Sequence, residues 1–386
     1  MRIIAFVALT VFVFLEQTYA AERPGATFLI ISPGARQVGM GSASTGLCDD
    51  ASLLYYNPGG LGLYNKFELI VMNQGLPPGL GRVIETGLLN VTDEIVGREA
   101  PFASDLQPEP DWLPGLRPDM QYIYGTCIVP MENIGNFGIH YTYVTAGITT
   151  IINNEGTYLG EYETYDYAIG FSYGRDFLEN RLGLGFSSKY IYSQLVPEWV
   201  VEAMPELGID RTGTGTAVAV DIGTLFRTWG LGIGVTLQNF GTRMEYSDGN
   251  SDRLPTRFRW GIALEPIALW DAVASQSEHG MPPIGRYFGL KIARDVSYDK
   301  DDFDDSWESL GLELTFLNIF SWRYGTFDDD GGRSGDTWGI GFNLHSVAID
   351  IADDSEIYGF VTDNWRVQIR LRALPPPERL QKCLLA

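Results

Sequence analysis

The sequence contains little of the chemistry that most enzymes use. It has three histidines and three cysteines among 386 residues. The cysteines, Cys48, Cys127 and Cys383, are far apart and odd in number, which matches neither a metal-binding spacing nor a disulfide framework. It also lacks a phosphate-binding glycine loop and a nucleophile elbow. These absences predict a protein that is not an enzyme and that holds no metal, no cofactor and no structural disulfide.

Positive charge is scarce as well. There are 27 lysines and arginines against 49 aspartates and glutamates, for a formal net charge of -22. A chain this acidic repels a phosphate backbone. The composition therefore argues against nucleic acid as a partner.

A long apolar run occurs only at the start of the chain. Arg2 is followed by the apolar stretch 3–15 and then by Thr18-Tyr19-Ala20, with small residues three and one before a cleavage point. This pattern is typical of a secretory signal peptide over residues 1–20. After Ala20, no stretch of about 18 uninterrupted apolar residues remains that would span a membrane as a helix. The mature chain is therefore expected in the periplasm, in the outer membrane or outside the cell.

What the sequence does contain favours β structure. It has 45 glycines and 20 tyrosines, and its charged fraction is 20%. Apolar and small or polar residues alternate with period two in about fourteen segments, for example 231–238 and 365–372. Short connections interleave with long ones, as periplasmic turns interleave with external loops in bacterial barrels. The sequence thus predicts an all-β protein, a transmembrane antiparallel barrel of about 14 strands over residues 65–373, followed by a tail at 374–386.

Two connections stand out in this arrangement. The first external loop, 74–119, is the longest, and its many prolines exclude a membrane-embedded strand. The connection 267–284 is unusually long for a periplasmic turn and is expected to hold a short helix.

Residues 34–63 are rich in glycine and other small residues. Asp49 and Asp50 are expected to cap a helix over 51–56, which should stop at Asn57 because Pro58 follows. We interpret residues 21–64 as a plug folded into the barrel lumen. The alternative is a mobile glycine-rich linker, which has no need of the apolar residues at 53–56.

This stretch carries a family resemblance. Its short motifs resemble the N-terminal signature of the PorV/PorQ family of outer-membrane barrels and, more distantly, that of the FadL family; they are Gly34-Ala35-Arg36, Gly39-Met40-Gly41, Asp49-Asp50-Ala51-Ser52 and Asn57-Pro58-Gly59-Gly60-Leu61. Looser similarity continues in 238–241, 254–261 and 323–325. The sequence departs from the family at Gly60 and Cys48, and its tail continues beyond the usual terminal aromatic residue.

The resemblance implies a location in the bacterial outer membrane, in contact with its lipid, and two competing functions. A PorV-like protein would be a partner-binding component of protein export, holding secreted proteins for a type IX-like secretion apparatus. A FadL-like protein would pass a lipid-like or other hydrophobic small molecule past the plug and out through the wall. A general structural role in the envelope is the third alternative.

The period-two assignment also predicts which polar side chains face the lumen. They are His140, Lys189, Asp221, Arg257, Arg259, Lys291, Glu313, Arg323, Asp350, Arg366, Arg370 and Arg372. Eight of these are basic and three acidic, an excess that needs acidic partners in a partly dehydrated site. We therefore expect a plug latch formed by Asp49, Asp50, Asn57 and Pro58. Its carboxylates should bind arginines among Arg257, Arg259, Arg366 and Arg370, the alternative being that they only cap the helix.

Two further expectations concern the surface. Aromatic residues at strand ends should form belts at the membrane interfaces; they are Trp260, Trp322, Trp338, Trp365, Tyr141 and Tyr173. Acidic runs near 299–305 and 328–330 are either calcium ligands or solvated loop carboxylates, and they lack the spacing of an EF-hand.

Overall fold

The computed structural model describes residues 24–74, 121–131, 133–152, 157–203, 212–274, 283–301, 306–329, 334–354 and 365–373. The predicted signal peptide, the tail at 374–386 and nearly all of the first external loop lie outside these residues. The expectations about them stay predictions.

Fourteen of the sixteen described strands pair in chain order, each antiparallel to the next, and the first pairs with the last. The barrel strands are β1 Phe67–Gln74, β2 Gln121–Met131, β3 Gly135–Ile152, β4 Tyr158–Phe177, β5 Leu182–Gln194, β6 Thr214–Thr228, β7 Leu231–Gly241, β10 Arg257–Leu264, β11 Phe288–Asp299, β12 Ser306–Phe316, β13 Phe320–Asp329, β14 Ser334–Leu344, β15 Val347–Asp353 and β16 Trp365–Ala373. The other two, β8 Met244–Tyr246 and β9 Ser251–Asp252, form a hairpin on β6. The predicted barrel of about 14 strands is confirmed.

The outer surface of the barrel is apolar. In β7, for example, Ile233 is 42% exposed, whereas its neighbours Gly232 and Gly234 are buried on the inward side. Closing the sheet pairs every strand edge, which a structure in hydrocarbon requires. An even number of antiparallel strands with an apolar exterior is the architecture of bacterial outer-membrane barrels. The chain is therefore a barrel of the bacterial outer membrane.

Replacing Ile233 by arginine tests this orientation. A guanidinium on the lipid side near the middle of the bilayer should lower the free energy of unfolding by about 2–4 kcal/mol. Urea unfolding in lipid vesicles, followed by gel mobility of the folded barrel, measures the change. A loss no greater than that of Ile233→Leu would contradict an outward-facing Ile233.

The two ends of the barrel differ. The β2–β3, β4–β5, β6–β7, β12–β13 and β14–β15 connections are short and lie at what we call the turn end. At the opposite loop end, several strands run further than the sequence predicted: β3 reaches Ile152 and β11 reaches Asp299. The pairing of β3 with β4 and of β11 with β12 continues there, which satisfies the backbone polar groups beyond the expected loop boundaries.

Aromatic side chains form a patch on the outer wall of β3, β4 and β5. Their rings are between 5.0 and 6.5 Å apart, and the residues are Tyr141, Tyr143, Tyr165, Tyr167, Tyr190 and Tyr192. Trp365 lies on the outward side of β16, but its side chain is only 4% exposed. Trp365 and Trp338 both pair with Asp353 and so share a face, where their rings meet edge to face at 5.2 Å.

The helices are short. A 3-10 turn covers Thr27–Ile30, and α1 Ala35–Val38, α2 Leu53–Tyr56 and α3 Gly59–Leu63 follow it in a stretch that we call the inner segment, residues 24–64. Two others, α4 Glu198–Ala203 and α5 Pro266–Ala274, lie between strands, the latter in the connection predicted to hold a helix. Within the described ranges, every helix falls short of the length and hydropathy that a membrane-crossing helix needs.

Candidate functional site

The inner segment packs directly against inward-facing glycines of the barrel wall. A Cβ added to Gly234 would lie 2.0 Å from the Thr45 carbonyl oxygen, and one added to Gly325 would lie 2.0 Å from the Gly41 nitrogen. The same backbone contact recurs around the barrel at Gly174, Gly185, Gly232 and Gly311. Glycine on the lumen side therefore lets the backbone of the segment approach the backbone of the wall.

The segment also brings a buried guanidinium to the centre of the site. Arg36 is 3% exposed. Its Nη1 donates to Asp49 at 2.5 Å and to Asp50 at 2.9 Å, and its Nε donates to Glu313 on β12 at 2.8 Å. One side chain thus joins both acids of the segment to the barrel wall.

These contacts belong to a larger latch network. It links five cations to five acids, which are Arg36, Lys291, Arg323, Arg370 and Arg372 on one side and Asp49, Asp50, Glu68, Glu313 and Asp350 on the other. Typical distances are 2.6 Å for Arg323 to Glu313 and 2.8 Å for Arg372 to Glu68. Equal numbers of opposite charges with direct hydrogen bonds offset the cost of burying ions.

The acids of the segment are ionised because of their partners. Burial alone would raise the pKa of Asp49, but Arg36 and Lys291 hold this pKa well below its usual range. Burial acts in the same direction on Asp50, and the charges of Arg36 and Arg370 lower its pKa. Two carboxylates next to each other are therefore both stable as anions.

These shifts predict how stability depends on pH. A carboxyl group whose folded pKa is depressed stabilises the protein above its unfolded pKa, and this stabilisation is lost as the pH falls towards the folded value. We expect the contribution of Asp49 and Asp50 to be constant from pH 8 to 5 and to decline below about pH 4. Urea unfolding at a series of pH values measures it. A double Asp49→Asn, Asp50→Asn variant should lack this part of the decline, and an unchanged profile would contradict the prediction.

The expected arginine partners of Asp49 and Asp50 need correction. Only Arg370 among the four reaches either of them, at 3.5 Å from Asp50. Arg259 binds Asp295 at 2.8 Å and donates to the Ser42 carbonyl. The other two lie elsewhere: Arg366 binds Asp354 at 2.6 Å and the Ser32 carbonyl, and Arg257 lies over the Trp307 ring at 3.9 Å. Arg259 and Arg366 therefore hold the backbone of the segment rather than its acids.

The predicted excess of positive charge in the lumen is also wrong. Among the described residues, five buried inward-facing acids were missed: Glu68, Asp295, Asp299, Asp329 and Asp354. Asp295 accepts from the amides of Ser44 and Thr45 at 2.9 and 2.8 Å, besides binding Arg259. These acids balance the arginines and also hold the segment by its backbone.

The other two members of the expected latch shape the backbone. Asn57 has φ -162° and ψ 101°, which ends α2 as the following proline requires. Its side-chain amide donates to the carbonyls of Thr45 and Thr224 at 3.0 Å each, tying two parts of the segment to β6. Pro58 has φ -61° and leads into α3. The expected side-chain cap on α2 is absent: Ser52 occupies the N-cap, and Asp50 accepts from the Ser52 amide at 3.0 Å.

The remaining predicted lumen residues lie higher in the barrel. Lys189 binds Asp221 at 2.8 Å, and both are buried. The buried His140 ring lies against Gly170, where a Cβ would be 2.2 Å from it. In the part of the chain that the structure describes, His, Cys, Asp and Glu form no group that would hold a metal ion.

The loop end of the lumen is apolar. Phe28 and Leu29 pack in a cluster with Ile191, Met244 and Leu254, and Ala168, Ala217, Ala219 and Tyr246 complete this cluster. Ile30 packs against Trp307 and Phe327, and Ile31 against Met72, Tyr122 and Tyr124. We call residues 28–31 and these contacts the apolar mouth. Four consecutive residues of the inner segment thus fill three neighbouring apolar clusters.

The turn end of the lumen is polar. A cavity of 400 Å³ lies below the latch network, and charged residues such as Lys66, Glu265, Lys291 and Arg372 line it. The latch network therefore lies between the apolar mouth and a charged cavity.

The chain is thus an outer-membrane barrel with a chain segment held in its lumen. No protein-family model matches it, and a comparison with curated proteins also finds no match. Among solved structures, it is similar to the toluene transporter TodX of Pseudomonas putida, at 11% identity and a TM-score of 0.48 over 88% of this chain and 96% of that chain. It is also similar to the toluene transporter TbuX of Ralstonia pickettii, at 10% identity and 0.45 over 88% and 97%.

A FadL homologue of Pseudomonas aeruginosa aligns at 10% identity, with a TM-score of 0.39, over 88% of this chain and 95% of that chain. Similarities at this level carry no argument about ligand or partner. The barrel is defined by its own strand pairings.

Proposed function

We propose that this protein is an outer-membrane channel for hydrophobic small molecules, with the inner segment as a plug. The apolar mouth is the observation that carries the proposal. A concave, mostly apolar site with a few polar groups beneath it is what an apolar ligand requires. In the plugged state, residues 28–31 occupy this site themselves, and a ligand would replace them.

The latch network supports a route that avoids the centre of the barrel. A hydrophobic molecule gains nothing by crossing a dense, charged network. The β3–β4 pairing has a register shift between Thr145 and Gly147, next to Val144, which packs on the apolar mouth. We propose this bulge as the place where ligand leaves through the wall into the membrane.

Photocrosslinking with a diazirine-bearing alkane tests the proposal in reconstituted protein. Adducts should form at the apolar mouth and also at lipid-facing residues such as Ile349, and excess toluene should suppress only the former. Met244 is fully buried in the mouth, so Met244→Gln should remove the mouth adducts, whereas Met244→Leu, which keeps the volume and the apolar character, should retain them.

The outcome also decides between this function and protein export. A PorV-like protein would bind secreted proteins through its external loops, and residues 75–120 of the first loop lie outside the described residues. Capture of secreted proteins by the native barrel, without mouth adducts that toluene suppresses, would overturn the channel and favour export. If neither mouth adducts nor captured proteins are found, the general structural role in the envelope remains.

A further inference from the structure

Helix α5 is largely apolar, with Asp271 as its one charged residue, and its two faces have different surroundings. It joins β10 to β11 at the turn end of the barrel. Ile267, Ala268 and Asp271 line the charged cavity. Leu269, Trp270 and Val273 are instead 47%, 43% and 54% exposed. Successive helix residues are about 100° apart, so these two sets lie on opposite sides and the exposed apolar side points away from the lumen.

The rotation of the helix is fixed. The Asp271 carboxylate accepts hydrogen bonds from the amides of Ile284 and Gly285, each at 2.9 Å. These bonds hold the polar side of α5 against the returning chain. The apolar side therefore cannot rotate into the cavity and become buried there.

The exposed side of α5 is continuous with the lipid-facing wall. Leu264 at the end of β10 and Phe288 at the start of β11 are outward-facing and are 46% and 52% exposed. Trp229 and Tyr287 at the same end are 63% and 50% exposed. Tryptophan and tyrosine are enriched where acyl chains meet headgroups. The helix thus extends an apolar surface that lipid already covers.

We propose that α5 lies on the periplasmic leaflet of the outer membrane, with Leu269, Trp270 and Val273 inserted among the phospholipids at headgroup depth. A helix that lies in the interface buries one side in lipid and leaves the other in a polar environment. Here the charged cavity supplies that polar environment. Lipid fits this surface better than a separate protein, because the apolar area is an extension of the membrane-facing wall.

A fluorescent label on the helix tests the proposal. In full-length protein carrying Cys127→Ser and Cys383→Ser, Val273→Cys is labelled with an environment-sensitive dye, and the buried Cys48 stays unlabelled. In phospholipid vesicles, the dye should emit at shorter wavelength than in buffer. Brominated acyl chains should quench it strongly, and aqueous iodide weakly.

The matched control is Ala268→Cys, on the cavity side of the same helix. Its label should show the opposite preference, with iodide the stronger quencher. Leu269→Cys replaces Val273→Cys if the latter fails the gel-mobility test for a folded barrel. Equal iodide quenching on the two sides would overturn the proposal. The proposal would also be overturned by weak bromolipid quenching at position 273 together with crosslinking of this position to a periplasmic protein or a second copy of the chain.

Discussion

Replacing Gly234 by valine is expected to displace the inner segment from the barrel wall. The new Cβ would lie 2.0 Å from the Thr45 carbonyl oxygen and 2.7 Å from the Asn57 side-chain nitrogen. The backbone of the segment cannot yield without breaking its bonds to Asp295 and Thr224. Overpacking of this kind costs about 1–3 kcal/mol or more. The alternation of β7 alone predicts that Gly234→Ser is mild, but a serine Cβ would meet the same Thr45 carbonyl oxygen at 2.0 Å.

Two measurements follow the segment directly. In protein carrying Cys127→Ser and Cys383→Ser, Cys48 is the remaining thiol; it is 2% exposed, and burial raises its pKa, so it should react slowly with maleimide. Gly234→Val should accelerate this reaction and raise the conductance of the barrel in planar bilayers.

The matched control is Gly125→Val. Gly125 is a strand glycine on the outward side, and the nearest atom to an added Cβ is 4.0 Å away. Gly125→Val should leave both the rate of Cys48 labelling and the conductance unchanged. Slow Cys48 labelling in both variants would show that the segment is not held against Gly234.

Replacing Arg36 by methionine is the second change with a large expected effect. The acids Asp49, Asp50 and Glu313 keep contacts to Lys291, Arg323 and Arg370, but the substitution leaves the buried latch network with five acids and four cations. Removing one partner of a buried ion pair costs about 3–5 kcal/mol, because the remaining charges are uncompensated. Urea unfolding should show this loss, and conductance should rise.

Two variants calibrate the result. Lys300 pairs with Asp301 just beyond the loop end of β11, where their side chains are 30% and 37% exposed, so Lys300→Met should cost less than about 1 kcal/mol. Arg36→Lys keeps the positive charge but not the planar guanidinium that reaches three acids. Its loss of stability should therefore fall between that of Arg36→Met and that of Lys300→Met. An Arg36→Met loss as small as that of Lys300→Met would contradict a central role for Arg36.

The barrel could be predicted from sequence because its pattern is local. In β7, alternation of large apolar residues with glycine indicates both the strand and its outward side. Glu68 was missed because β1 reads FELIVMNQ, in which both sides are largely apolar and no alternation identifies the lumen. Asp295 was missed because pairing with β12 extends β11 beyond the predicted boundary, so that a residue assigned to a loop faces inward.

The partners in the latch could not be predicted for a different reason. Alternation indicates which side of a strand a residue occupies, but not its height in the barrel or its place around the circumference. Arg259, Arg366 and Arg370 all face the lumen, yet only Arg370 reaches Asp50. Arg36 belongs to the segment itself, where no periodicity applies. The conformation of the segment decides which carboxylates it meets.

Glu68 has a consequence for biogenesis. It lies directly opposite Arg372 across the β1–β16 seam, the pairing that closes the barrel. One of its oxygens accepts from Arg372 at 2.8 Å, and the other accepts from the Ala51 amide at 2.8 Å. A single carboxylate thus spans the seam and the segment, so closure of the barrel and placement of the segment stabilise each other. If the segment is the plug proposed above, we expect it to take its place as the barrel closes, and the outer membrane would then not be exposed to an open pore during assembly.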